Sequence, residues 1–149
     1  MDTKSLKTLK NLYLTTAIIA TVNAIPGFGF LFNLLFGIPA LAVAILAIIQ
    51  IVAAKKAKQS VAISVLALVT GTIGFISAII ILLAMISDGG SSSYYMNSYG
   101  SSGNPVFGFA MLIGFCAWAM FVVTTVLHYV QFAKINKMIK MESFNQQQY

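Results

Sequence analysis

Long apolar stretches separated by short polar ones are the dominant pattern along this chain. No charged residue occurs from Asn11 to Ala54, from Gln59 to Ser87 or from Phe107 to Ala133. A hydrocarbon core of about 30 Å needs roughly 20 helical residues, each rising about 1.5 Å. The first stretch is therefore long enough for two membrane-spanning helices, and each of the others is long enough for one.

The first stretch is interrupted by Pro26, Gly27 and Gly29, which predict a tight turn, and Asn33 is placed to cap the following helix. We predict an all-α membrane protein, a bundle of four transmembrane helices that forms a single domain over residues 1–149. The expected helices cover residues 6–25, 31–54, 59–87 and 105–139, with a polar outer loop at 88–104 and a polar tail at 142–149.

The positions of the cationic residues predict the topology of these spans in the membrane. All nine are lysines, and on four spans every lysine falls on the same side of the bilayer. Because positively charged short loops stay in the cytoplasm, we predict that both termini are cytoplasmic, or on the matrix side of an organelle. The three clusters are Lys4, Lys7 and Lys10; Lys55, Lys56 and Lys58; and Lys134, Lys137 and Lys140.

Composition and charge also bound the class of protein and its partners. With 59% hydrophobic and 8% charged residues, the chain has too little polar surface for a soluble domain, which predicts an integral, multi-pass protein of the plasma membrane or an organellar inner membrane. The net charge of +6 predicts contact with anionic headgroups, at about 1 kcal/mol per surface cation. Nucleic acid is not an expected partner, since arginine is absent.

A cleavable signal peptide is the alternative interpretation of the N-terminus. The lysines, the apolar stretch and Val22-Asn23-Ala24 resemble such a segment, and cleavage after Ala24 would leave three spans. The apolar pattern resumes at once in Phe28 to Phe32 with no polar mature segment, which favours retention of the first span.

Small residues at helical spacing predict how the spans pack. Lipid tails remove the hydrophobic drive between helices, so close approach and interhelical hydrogen bonds must hold a bundle together. Steps of three and four along the third and fourth spans place small residues on one stripe of each helix. The predicted packing positions are Ser64, Ala67, Gly71, Gly74 and Ala78 on the third span and Ala110, Gly114 and Ala117 on the fourth.

Candidate catalytic chemistry is sparse. No Asp, Glu, Lys or Arg lies within a predicted span, and the acidic residues are only Asp2, Asp88 and Glu142. We therefore predict no enzymatic activity, no cofactor and no metal site. His128, the only histidine, is a candidate pH-sensitive position, although the favoured interpretation is that it reaches the membrane interface or hydrogen-bonds across the bundle. Other polar residues within the spans are likewise expected to form hydrogen bonds between helices, and lining a solute pathway is the second interpretation. These residues are Asn23, Gln50, Thr70, Thr72 and Thr124.

The outer loop mixes tyrosine with serine, glycine and asparagine. Such a mixture suits an adaptable contact surface, because tyrosine offers a large amphipathic area and the small residues offer flexibility. Tyr94, Tyr95 and Tyr99 are therefore candidate partner contacts. Alternatively, they rest at the headgroup level as an aromatic belt.

The order of elements resembles a known family. Four spans, a short first outer turn, a basic inner hairpin reading Ala53-Ala54-Lys55-Lys56-Ala57-Lys58-Gln59-Ser60 and a longer second outer loop are similar in layout to the CD20-like tetraspan proteins. The chain departs from them in lacking a Trp-Gly near the second span's start and a cysteine pair in the outer loop. Small four-span bacterial membrane proteins with lysine-rich hairpins look equally similar. Either resemblance implies a non-enzymatic, partner-associating membrane protein.

Three functional hypotheses follow. The first is a non-catalytic accessory or structural subunit that packs with partner membrane proteins or with itself. The second is an oligomeric channel or permease for a small solute, with threonine and asparagine positions lining a path. The third is a membrane regulator or protective, immunity-type protein that acts through the tyrosine-bearing outer loop.

Overall fold

A computed structural model describes residues 3–25, 37–87 and 105–146. Within these ranges the chain forms four helices and no strand: α1 (Thr3–Ala24), α2 (Ile38–Lys56), α3 (Ala62–Ser87) and α4 (Pro105–Gln146). Three segments, Ile38–Lys56, Ala62–Leu83 and Met111–Phe144, are long and apolar enough to cross a membrane. The expectation of an all-helical protein whose helices are long and apolar enough to cross a membrane is therefore confirmed for these three helices, and α1 does not belong to that apolar group.

The four helices form a closed ring in chain order. α1 packs against α2 and α4, α2 against α3, and α3 against α4. At one end Leu6 of α1, Ala54 of α2 and Ile135 of α4 share an apolar cluster, whereas Ala20 and Phe121 belong to a second cluster farther along. Successive helices consequently run antiparallel, and all three lysine clusters lie at the end marked by Leu6, which we call the lysine end.

Buried positions recur at steps of three and four on every helix. This spacing is the signature of a left-handed bundle in which side chains of one helix fill holes on the next. The recurring buried positions are Leu6, Leu9, Tyr13, Thr16, Ala20 and Asn23 on α1; Ala40, Val43, Ala47, Gln50 and Ala54 on α2; Ser64, Ala67, Gly71, Gly74 and Ala78 on α3; and Ala117, Phe121, Thr124, His128, Gln131 and Ile135 on α4.

The helix boundaries differ from the predicted ones at several points. The described part of the predicted 31–54 helix is α2, which begins at Ile38 directly after Gly37, a residue with a left-handed φ of 64°. Residues 31–36 of that prediction lie outside the described residues. α3 begins at Ala62, later than expected, and α4 continues through the predicted polar tail to Gln146. The predicted turn at Pro26 to Gly29 and the cap at Asn33 lie outside the described residues.

A tight turn at the lysine end joins α2 to α3. The backbone N–H groups of Lys58 and Gln59 donate to the carbonyl oxygens of Lys55 and Ala54, at 3.1 and 2.9 Å. Lys58 itself has a φ of 52°, so the turn has the hydrogen bonds and the left-handed residue of a Schellman motif. Lysine cations beside the last carbonyl groups of α2 also complement the negative end of its helix dipole.

Candidate functional site

Seven buried polar side chains meet in the middle of the ring. Each of them is 0% exposed, although the outward surface of α2, α3 and α4 is largely apolar. Burying a polar group away from water costs free energy unless the group is hydrogen-bonded, so the hydrogen-bond partners of these side chains decide whether the arrangement is stable. We call this group the central polar cluster: Tyr13, Thr16, Gln50, Ser64, Thr70, Thr124 and His128.

Two contacts cross the diagonals of the ring. The Gln50 Oε1 atom of α2 lies 3.2 Å from His128 Nε2 of α4. The Tyr13 hydroxyl of α1 lies 3.4 Å from the Ser64 hydroxyl of α3. These helix pairs are opposite one another in the ring, so each contact depends on at least one long side chain and ties together helices that are not neighbours.

The amide of Gln50 also binds α1. Its Nε2 atom donates to the Leu12 carbonyl oxygen at 3.1 Å and to the Thr16 hydroxyl at 2.5 Å. A carbonyl oxygen only accepts hydrogen bonds, so the contact with Leu12 fixes which end of the amide carries the nitrogen. Gln50 therefore connects α1, α2 and α4 through one side chain.

Hydroxyl groups complete the cluster on the α3 side. Thr70 donates to the carbonyl oxygen of Leu66 at 2.9 Å and consequently accepts from Thr124, whose Oγ1 atom is 3.0 Å away. The Thr124 carbonyl oxygen in turn lies 2.8 Å from His128 Nδ1. The Tyr13 ring meets the imidazole in a T-shaped arrangement with 5.3 Å between centroids, a geometry that aromatic pairs prefer and that fixes both rings.

A further interhelical hydrogen bond joins the C-terminal end of α1 to α4. Trp118 Nε1 donates to the carbonyl oxygen of Ala24 at 2.8 Å, which satisfies one of the free carbonyl groups at the C-terminus of α1. Near the other end of α1, Leu6 and Ile135 belong to one apolar cluster, so α1 packs against α4 toward both of its ends.

The small residues predicted as packing positions lie as follows. Ser64, Ala67, Gly71, Gly74 and Ala78 are buried on α3, Ala117 is buried on α4 and Gly114 is half-buried. The tightest approach is at Gly71, where an added Cβ would lie 2.7 Å from the backbone nitrogen of Ala44 and 2.8 Å from the carbonyl oxygen of Ala40. The side chain of Ala110 lies outside the described residues.

The other predicted positions are dispersed. His128 lies in the central polar cluster, whereas the predicted headgroup contacts Lys55, Lys56, Lys58, Lys134, Lys137 and Lys140 are exposed at the lysine end. Tyr94, Tyr95 and Tyr99 fall outside the described residues. Among the described residues, no three His, Cys, Asp or Glu side chains are grouped so that they could hold a metal ion.

Two members of the cluster escaped the sequence analysis, namely Tyr13 and Thr16. Both follow Leu6 and Leu9 at steps of three and four, and this spacing was the available signal. Thr72, in contrast, was named with the interior polar residues but lies outside the cluster. It is exposed and its hydroxyl bonds to the carbonyl oxygen of Leu68 on its own helix.

Comparison with protein-family models gives no match, and neither does comparison with curated proteins or with solved structures. The function is therefore inferred from the residues of this chain.

Proposed function

We propose that this chain is a small, non-catalytic integral membrane protein that acts as an accessory or structural subunit. The observation that carries the proposal is the central polar cluster, whose polar groups bond to one another and join all four helices. An interior used in this way holds the bundle together and leaves the outward faces for recognition. In a membrane, those outward faces meet either lipid or another protein.

The packing of α1 supports a four-span topology with retention of the first helix. α1 runs beside α4 from Leu6, which shares an apolar cluster with Ile135, to Ala24, which accepts a hydrogen bond from Trp118. At about 1.5 Å per residue this path covers about 27 Å, close to the thickness of the hydrocarbon core. If α2, α3 and α4 cross the bilayer, α1 crosses with them, and the positive-inside rule places the lysine end and both termini in the cytoplasm.

Cysteine labelling tests this topology. The native thiol is first removed with Cys116→Ser, and single cysteines are then introduced as Thr3→Cys, Ser60→Cys or Ser102→Cys. In intact cells, a membrane-impermeant maleimide is expected to label only the Ser102→Cys protein, and permeabilised cells should give labelling of all three. Labelling of the Thr3→Cys protein from outside would contradict the four-span topology.

The outer face of α4 is the proposed contact surface for a membrane-protein partner or a second copy. α4 is the least covered of the three apolar helices, and large side chains stand out from it at 51 to 67% exposure. Aromatic side chains such as those of Phe109 and Phe115 are enriched at protein interfaces. This α4 outer face consists of Phe109, Leu112, Phe115, Val123, Val126 and Val130.

Purification in a mild detergent tests this surface. We expect the wild-type chain to migrate as an oligomer or with a bound membrane protein, and Phe115→Ala with Val126→Ala to shift it to the monomer. The control is Val69→Ala with Ile76→Ala, which truncates two exposed apolar residues of α3. A wild-type monomer, or an equal response of the two double variants, would contradict the proposed docking face.

Anionic lipid is the second proposed partner. A groove of about 470 Å³ runs between α1 and α2 at the lysine end, with Lys4 and Lys56 at its rim and Ile48 and Val52 along its wall. Cations beside an apolar wall match an anionic headgroup and its acyl chain. The exposed lysines of the α2–α3 turn extend the same positive surface.

A channel or permease is the second candidate function, because the central polar cluster supplies a line of polar atoms inside the bundle. Solute flux into liposomes that contain the purified chain separates this candidate from the accessory role, for which no flux is expected. The third hypothesis, a regulator acting through the tyrosine-bearing loop, concerns residues 88–104, outside the described ranges.

A further inference from the structure

We infer that His128 is a buried proton-binding site, and that loss of its proton opens the contact between α2 and α4. The inference needs only the central polar cluster, so it stands whether or not the chain docks on other membrane proteins. It rests on the two atoms that the imidazole ring faces.

Both ring nitrogens of His128 face oxygen atoms that only accept hydrogen bonds. Nδ1 lies 2.8 Å from the Thr124 carbonyl oxygen, and Nε2 lies 3.2 Å from Gln50 Oε1. Neutral imidazole carries one N–H group, whereas imidazolium carries two. Only the protonated ring therefore satisfies both contacts, and either neutral tautomer sets a nitrogen lone pair against an oxygen lone pair.

The alternative assignment of the Gln50 amide does not remove this conflict. If the amide were flipped, its oxygen would face the carbonyl oxygen of Leu12, which the Nε2 atom now contacts at 3.1 Å. Flipping the imidazole ring would likewise put carbon atoms where Nδ1 and Nε2 now meet their partners, and a buried ring would lose both bonds. The observed orientations of the amide and the ring therefore leave the fewest polar atoms without a hydrogen-bond partner.

The groups around the ring are mostly uncharged. From α1 the titratable Tyr13 packs against the imidazole, from α2 Gln50 faces it, and from α3 only the hydroxyl groups of Ser64 and Thr70 join the cluster. Lys10 lies toward the lysine end, with its Nζ atom 5.9 Å from the Phe132 ring centroid. The only carboxylate among the described residues, Glu142, lies about 21 Å farther along α4.

The imidazolium is thus bonded to two uncharged oxygen atoms, and no carboxylate of the described residues lies beside it. Without a counter-ion to retain the proton, the ring can lose it as the pH rises. On deprotonation the shorter bond to Thr124 is kept, and the lone pair on Nε2 then repels Gln50 Oε1. Gln50 remains bonded to α1 through Leu12 and Thr16, so the contact that opens is the diagonal between α2 and α4.

Nitrogen NMR of the whole chain in phosphatidylcholine nanodiscs tests the inference directly, since one histidine gives one pair of ring signals. Between pH 8 and pH 5 we expect the ring to change from one N–H group to two while the bundle stays folded, with the Gln50 side-chain amide shifting at the same midpoint. Gln50→Glu should raise the midpoint by about one pH unit, a tenfold gain in proton affinity, by placing a carboxylate beside Nε2. Gln50→Met should lower it.

The matched control is Thr72→Val, which removes an outward-facing hydroxyl of α3 and should leave the midpoint unchanged. A ring that stays neutral down to pH 5, or that gains its second proton only as the helices unfold, would overturn the inference. So would Gln50→Glu and Gln50→Met proteins that both titrate like the wild type. If these variants do not fold, the wild-type titration alone decides.

Discussion

Replacing Gly71 with alanine is expected to destabilise the bundle by about 1–3 kcal/mol, although it adds a single methyl group. The added Cβ would meet the backbone nitrogen of Ala44 at 2.7 Å and the carbonyl oxygen of Ala40 at 2.8 Å. Backbone atoms in a packed helix do not rotate away as a side chain does, so α2 and α3 must separate. Equilibrium unfolding in mixed micelles measures the loss.

Gly114→Ala is the matched control for this variant, since it makes the same change in another helix of the ring. The nearest atom to its added Cβ is Cδ1 of Ile81 at 3.7 Å, an ordinary contact. Alanine is favoured over glycine within helices by about 0.5–1 kcal/mol, so this variant should be as stable as the wild type or slightly more stable. Equal destabilisation of the two variants would show that α2 and α3 do not approach closely at Gly71.

The parts of the fold that depend on residue spacing could be predicted from the sequence. Small residues at steps of three and four marked the inner face of α3, because close helix approach in lipid demands small side chains there. The same stripe on α4 continued through Phe121, Thr124 and His128, all of which are buried. Periodicity reports which residues share a face, and that is enough to find the interior of a bundle.

The polar partners could not be predicted in the same way. Residue spacing placed Gln50 and His128 among the interior polar residues, but it did not predict that they contact each other. A contact between opposite helices depends on how far one helix is shifted along the bundle axis relative to the other, and spacing does not report that shift. Tyr13 and Thr16 were missed since α1 is less apolar and its inner face holds polar residues among apolar ones. The left-handed Gly37 before α2 was not predicted, because its backbone conformation cannot be told from that of an ordinary helical glycine by composition.

The central polar cluster also explains why α1 differs from the other helices. α1 contributes Tyr13 and Thr16 to the cluster, and Asn23 is buried near its C-terminus. Toward the outside it carries exposed threonines, Thr8 and Thr15, whose hydroxyl groups bond to backbone oxygens of their own helix. These residues lower its apolar character, while hydrogen bonds to α2, α3 and α4 add to its apolar contacts in holding it in the bundle.

Gln50 should be the most sensitive polar position in the bundle, since one amide joins three helices. Gln50→Leu keeps a similar volume and removes the bonds to Leu12, Thr16 and His128 together. Polar groups left buried without partners cost about 1–3 kcal/mol, whereas hydrogen bonds between membrane helices average about 0.6 kcal/mol. We expect a loss of about 2 kcal/mol in unfolding free energy, measured at a fixed pH in the same mixed micelles.

Thr72→Val again supplies the control, because the Thr72 hydroxyl bonds only to Leu68 of its own helix and faces outward. This variant should retain the wild-type unfolding free energy. A Gln50→Leu protein as stable as the wild type would mean that leucine packing offsets the lost hydrogen bonds, as happens when buried polar groups are replaced by well-packed apolar ones. The cluster would then contribute specificity to the bundle, by fixing the relative heights of α2 and α4, and not stability.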